Sequence, residues 1–309
     1  MVVLLALDLL VFHRHDHKPT LRESAWFTAF WIALALIFNV FVWWWGIHQG
    51  HPHAGLNFLS GYLIEKSLSM DNIFVFVVIF RFFHIPMEYQ YRVLFWGILG
   101  AIVMRLAFIL AGVALIQRFD VVIPIFGVFL VYTAYKLALH SGADVHPEKN
   151  IVLRIARRYL NVTKGDHHQY GRHFFVRENG RLLITPMFLV LLVVESTDVV
   201  FAIDSIPAVF GITRDPFIVF TSNIFAILGL RALYFLLAGV VEMFRYLHYG
   251  LAAVLGFVGA KMIAEYWHPH LVPHWLSLLV IASLVTISIV ASLIHGAREK
   301  KDHQQPAEE

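Results

Sequence analysis

The sequence predicts an all-α polytopic membrane helix bundle of about nine spans, organised as two inverted three-helix repeats. Three observations carry that prediction. Of the 309 residues, 59% are hydrophobic and only 15% charged, against about 45–50% and about 25% in ordinary globular chains. The apolar residues fall in runs near the length a bilayer requires, about 20 residues, without the alternation of a barrel strand. A short acidic motif from the first half of the chain recurs in the second.

Taken in order, the chain opens on an apolar segment, Met1 to Phe12, that reads as the tail of a span. It lacks the basic start and small-residue cleavage site of a signal peptide. Spans are then expected at 26–47, 57–83, 93–116, 121–139, 182–210, 216–241, 247–267 and 274–295. The first carries Trp43, Trp44 and Trp45 at one end, matched by Trp267 and Trp275 later, as an interfacial aromatic belt would require. The second is interrupted by Glu65, Lys66 and Asp71, the third by Arg105, and the fourth only near its end, by Lys136. The fifth holds Glu195, Asp198, Asp204 and Pro207; Arg231 and Lys261 mark the next two. The expected organisation is N-terminal peripheral spans at 1–55, a first repeat at 56–140 and a basic loop at 141–181. A second, inverted repeat follows at 182–268, then a last span and tail at 269–309.

The repeat rests on Ser69-Met70-Asp71-x-x-Phe74, which returns as Ser196-Thr197-Asp198-x-x-Phe201. At the same offset Leu110-Ala111-Gly112-Val113 returns as Leu237-Ala238-Gly239-Val240. Arg105 and Arg231 precede the second match, one residue out of register. Three spans per repeat force the second copy into the opposite topology, the arrangement secondary transporters use. Orientation follows from the basic residues. With the 140–181 loop in the cytoplasm, cytoplasmic segments hold 17 Lys and Arg and outer loops only two, Arg118 and Arg214. The N-terminus is therefore expected outside and the C-terminus in the cytoplasm.

The acids carry the chemistry. A carboxylate at the bilayer centre costs about 2.5–3.5 kcal/mol on insertion scales, so Glu65, Asp71, Glu195, Asp198 and Asp204 mark a functional place by default. Clustered hard oxygens suit a divalent cation, with Asn72 and Asn223 as nearby amide or outer ligands. Because the chain has no cysteine, thiolate sites and thiol redox cycles are excluded, and an oxygen-only set favours Mn²⁺, Mg²⁺ or Ca²⁺ over Zn²⁺ or Cu⁺. Lys66, Arg105 and Arg231 offset part of the acidic charge, and a divalent ion or two protons would balance the remainder. Glu195 and Asp198 share a helix face, whereas Glu65/Asp71 and Asp198/Asp204 are six apart and point different ways on a regular helix. Either each helix breaks between its acids, with Pro207 supporting a break, or different acids serve different states. The bland alternative is structural ion pairing. It is the better reading for Arg105 and Arg231 and the poorer one for the acids. Lys136 and Lys261 are expected to snorkel from span ends. His48, His51, His53, His268, His270 and His274 crowd two outer loops, either a metal-gathering vestibule or plain solvated loops.

At these residues the chain resembles a known family. EKSLSMDNIFVF (65–76), VESTDVVFAIDSIPAVF (194–210) and DPFIVFTSNIFAILGLRALYF (215–235) are similar to the hallmark segments of the TerC family, in its Alx-like branch of bacterial inner-membrane proteins. The resemblance covers about residues 20–295. It implies seven to nine spans, kinship with LysE-type exporters, and association with manganese export, alkaline-pH response and tellurite resistance. On that expectation the chain is an exporter rather than an enzyme, with Mn²⁺ and protons as its traffic, the lipid bilayer as its partner, no nucleic acid and no permanently bound cofactor. Competing readings are a non-transporting metal-delivery scaffold, a redox or tellurite-resistance modulator, and an intramembrane aspartyl protease. The last is disfavoured by the lack of a Gly-x-Gly-Asp element.

Overall fold

The computed structural model describes residues 20–139, 148, 150–163, 173–178, 180–238, 246–268 and 271–302. The expected opening segment at 1–12, Gly239 and Val240 of the second repeat, His270, and much of the basic loop lie outside the described residues. Ten helices and one hairpin follow in order. They are α1 (Leu21–His48), α2 (Ala54–Phe82), α3 (Met87–Arg118), α4 (Val122–Leu139), α5 (Ile151–Tyr159), β1 (Phe175–Glu178), β2 (Arg181–Ile184), α6 (Pro186–Phe210), α7 (Pro216–Ile227), α8 (Leu230–Leu237), α9 (Leu247–Trp267) and α10 (His274–Asp302).

The helix starts are written in the chain. Thr20 and Glu23 form a capping box, with Glu23 N donating to Thr20 Oγ1 at 3.2 Å and Thr20 N to Glu23 Oε2 at 2.8 Å. That box starts α1 five residues before the apolar run suggests, because a cap satisfies the orphan amides wherever the span begins. Asp215 accepts from the amides of Phe217 and Ile218, with Pro216 as the first helical residue of α7. Pro186 is likewise the first helical residue of α6, but the side chain of Thr185 before it caps no amide, and its hydroxyl donates to the His173 carbonyl at 2.6 Å.

Among the described residues six helices are long and apolar enough to cross a membrane: α1, α3, α4, α6, α9 and α10 to His295. The bent pair α7–α8 makes a seventh if counted as one span. The protein is an all-α polytopic membrane protein. Helix α2 stands apart because Glu65, Lys66 and Asp71 fall in its middle. Its 29 residues span about 43 Å at 1.5 Å each, more than the hydrocarbon core of about 30 Å. It packs against α1, α6, α7 and α10. Helix α3 lies along α6, and α4 along α9, where the backbones meet glycine to glycine at Gly127 and Gly259. A Cβ on either glycine would stand 2.7–2.8 Å from the other's carbonyl oxygen, so the close approach depends on both.

Two expectations need correcting. Helices α2 and α6 run unbroken past their acids, and Pro207 sits inside α6 without ending it. A proline near a helix end forfeits one hydrogen bond, which the packed bundle tolerates. The break lies elsewhere, between α7 and α8, where Leu228 is extended and Gly229 adopts φ 76°. That left-handed conformation needs glycine, and a Cβ there would stand 2.7 Å from the ring of Trp31 on α1. In addition, Lys261 does not snorkel. It is buried, and its Nζ donates to the Gly211 carbonyl at 3.3 Å, capping the C-terminal end of α6.

The expected loop at 141–181 carries structure of its own. Helix α5 packs on α6, and β1 pairs antiparallel with β2, Phe175 opposite Ile184 and Arg177 opposite Leu182. The strand β2 occupies the first residues of the expected span at 182–210. The signal was present as Asn179-Gly180, a dipeptide that closes two-residue hairpins, with Gly180 at φ 76°.

Candidate functional site

At the centre of the bundle one arginine joins the two halves of the chain. Arg105, on α3, donates from Nη1 to Glu65 Oε1 on α2 and to Asn223 Oδ1 on α7 at 3.2 Å. Its Nη2 reaches Asp198 Oδ1 on α6 at 3.1 Å, and its Nε reaches Asp198 Oδ2 at 3.3 Å. The guanidinium thus holds Asp198 in a two-point fork, the geometry its planar donors match. Asn223 Nδ2 donates back to Glu65 Oε2 at 3.1 Å, so both oxygens of that carboxylate are bound. Glu65, Arg105, Asp198 and Asn223 are all buried. Four helices therefore meet through one network, whose members are mutually satisfied.

The helices set this geometry. Glu65 and Asp198 face each other because α2 and α6 pack together, and Arg105 enters from α3, which lies against α6. A small, mostly apolar cavity lined by Phe76, Leu94, Ile98 and Val194 opens onto Arg105 and Asp198.

Lys66 stands one residue from Glu65, and its Nζ donates to the Ala226 carbonyl on α7 at 3.2 Å. That carbonyl lies in the last turn of α7, where the break removes the amide that would otherwise have bonded it. A carbonyl freed by a broken span can bind a cation, and here an ammonium takes the position. Arg231, on α8, donates to the Tyr91 hydroxyl at 2.6 Å and lies over the rings of Tyr91 and Phe95, 5.0 and 5.8 Å from their centroids.

The remaining acids sit apart from the Arg105 network. Asp204, six residues beyond Asp198, points to α4, where Thr133 Oγ1 donates to it at 3.1 Å. Glu195 shares the Asp198 side of α6 but lies against Gly100 of α3, so closely that any side chain there would overlap its carboxyl group. Its Oε2 is buried without a hydrogen-bond partner. Asp71 is half-buried on α2, and the Oδ1 of its neighbour Asn72 is buried and unpartnered. Among the described residues no three His, Asp or Glu side chains converge into a ready metal cage. The five acids expected as one set are divided, because unbroken helices turn residues six apart by about 240°. Gly100 and Thr133 are site neighbours that no sequence pattern marks. Of the outer histidines, His53 and His274 stack with ring centroids 4.8 Å apart, joining α2 to α10.

The family model described as "Integral membrane protein TerC family" matches residues 50–301. The chain belongs to the TerC family. A membrane protein of Myxococcus xanthus, STKORF319, is 53% identical over 95% of this chain and 89% of its own length. The Escherichia coli K12 protein named "Putative membrane-bound redox modulator Alx" is 46% identical over 97% of this chain and 94% of its own. A membrane protein of Rickettsia bellii is 41% identical, covering 94% and 93%. No solved structure matches. This TerC-family chain is thus a multi-pass integral membrane protein with bacterial relatives, and the Arg105 network lies within the matched region.

Proposed function

We propose that this chain exports a divalent metal ion, Mn²⁺ foremost, from the bacterial cytoplasm across the inner membrane, by alternating access and in exchange for protons. The observation that carries the proposal is the meeting of Glu65 and Asp198, one carboxylate from each half of the chain, at a single buried guanidinium. The packing supports inverted repeats, with α2–α3–α4 as one and α6, α7–α8 and α9 as the other. Exchanging the two repeats turns the α2–α7 contact into the α6–α3 contact, and α2–α9 into α6–α4. The α4–α9 and α2–α6 contacts map onto themselves, as pairs at a pseudo-twofold axis do. Nine spans, the outside N-terminus and cytoplasmic C-terminus, and kinship with LysE-type exporters belong to the same proposal.

In this reading the described state is locked from within. Arg105 supplies one positive charge to two carboxylates; a divalent cargo supplies two, and so competes for the same oxygens once the guanidinium turns away. Asn223 and Asn72 add neutral oxygens suited to a hard cation. Release into the opposite compartment follows when protons or Arg105 reclaim the carboxylates.

The test is Mn²⁺ uptake by proteoliposomes of the purified protein, with a pH dye trapped inside. Wild type is expected to take up Mn²⁺ while protons move the other way, and Glu65→Gln and Asp198→Asn to abolish uptake while remaining folded. Vesicles that take up no divalent ion would overturn the proposal. The name given to the Escherichia coli relative favours a second reading, modulation of redox state. With no cysteine in the chain, such an effect would arise indirectly, and metal-free wild-type vesicles together with a redox phenotype in cells would select it.

A further inference from the structure

Helix α5 and the β1–β2 hairpin leave unexplained a surface that is basic and apolar at once. Around α5, at about 100° per residue, the side chains sort into three arcs. Leu153 and Ala156 are buried against the bundle. Ile151, Ile155 and Tyr159 form an exposed apolar stripe, 69%, 52% and 74% accessible. Arg154, Arg157 and Arg158 form an exposed stripe immediately beside it. The hairpin repeats the combination. Cross-strand partners share a face, so Phe175, Arg177 and Leu182 project together, and all three are exposed. Arg181 is exposed as well. Over 148–184 the described residues carry these five arginines against two acids, Glu148 and Glu178.

The unit is fastened to the bundle. Asn150 caps α5 and donates to Ser196 Oγ on α6 at 3.0 Å. Thr163 N donates to the Ile184 carbonyl at 3.0 Å, and Ile184 N to the Asn161 carbonyl at 2.9 Å, tying the end of α5 to β2. Arg92 of α3 lies 5.3 Å over the ring of Phe174. The exposed side chains are thus held at a fixed place, beside the end of α6 where the chain enters the bundle.

We propose that α5 and the hairpin form a binding collar for anionic phospholipid at the membrane face where α6 begins. Arginine forks bind the headgroup phosphates, while the isoleucines, Tyr159, Phe175 and Leu182 enter the acyl boundary. A nucleic acid or a free phosphate would meet the arginines and leave the interleaved apolar stripe in water. An anionic leaflet satisfies both, which is why we assign the surface to lipid.

The test uses the full-length protein in detergent micelles and follows its thermal unfolding. Added phosphatidylglycerol is expected to raise the midpoint well above that with phosphatidylcholine, while glycerol phosphate and inorganic phosphate leave it unchanged. The combined variant R154Q/R157Q/R158Q should lose at least half of that rise, whereas R118Q/R214Q, altered at the last residue of α3 and in the turn between α6 and α7, should keep it. A full rise in the triple variant overturns the proposal. So does a rise with phosphatidylcholine, or with inorganic phosphate, equal to that with phosphatidylglycerol. If the triple variant yields no folded protein, R177Q/R181Q on the hairpin decides by the same criterion. None of these outcomes depends on metal transport.

Discussion

A single guanidinium bound to two carboxylates from opposite halves of the chain makes Arg105 the residue whose loss the fold should feel most. Removing one partner of a buried ion pair leaves uncompensated charge and costs about 3–5 kcal/mol. Arg105→Gln is therefore expected to lower the unfolding midpoint sharply, and adding Glu65→Gln and Asp198→Asn to it should recover much of the loss. A single variant as stable as wild type would show that the pairing is not holding the helices together. Gly100→Ala should separate stability from activity. The three atoms nearest the new methyl all belong to the flexible end of Glu195, so the expected stability loss is about 1 kcal/mol, the mild end of overpacking, while displacement of the carboxyl group should depress Mn²⁺ uptake. The acids themselves were legible in the sequence, because ionisable residues inside apolar runs stand out. Their grouping was not. Which carboxylates meet depends on helix rotation and neighbours, and no local pattern encodes that Asp204 turns to Thr133 while Asp198 turns to Arg105.

Among the elements, helices lie over the expected segments from 26–47 to 274–295, legible because their composition is extreme, but among the described residues only six, or seven with the bent pair, qualify as spans. Pro207 suggests a helix break, yet α6 continues through it; the break falls at Gly229, inside LGLRALYF. Glycine occurs often enough in membrane helices that one left-handed position does not announce itself. Gly229→Ala should cost about 1–3 kcal/mol from backbone strain, and more if Trp31 cannot move, measurable as a lowered unfolding midpoint. If Gly229→Ala unfolds like wild type, the kink is not fixed by this residue. Small elements next to long spans were also missed. The nine residues of α5 are amphipathic rather than continuously apolar, and the hairpin is betrayed only by Asn179-Gly180.

For the whole molecule, the proposed topology follows from charge counts that no intramolecular contact tests. Reporter fusions at Lys164 and Glu309 are both expected to report the cytoplasm; a periplasmic signal from both would invert the proposed direction of transport. The pairing of α2 with α7 and α3 with α6 makes each half the other's packing partner, so neither half should fold to a stable domain by itself. The contact between Trp31 and Gly229 has an experimental use as well. Trp31 is buried and Trp45 half-buried against Phe217, whereas Trp26, Trp43, Trp44, Trp96, Trp267 and Trp275 are exposed. In a Trp45→Phe background and bilayers of brominated lipid, the exposed indoles should be quenched, leaving emission chiefly from the one that rests on the α7–α8 kink. The chain thus carries its own optical probe at the joint where the second half bends. Trp31→Phe should extinguish that residual light, and any change in its colour or lifetime on adding Mn²⁺ would report movement of the joint.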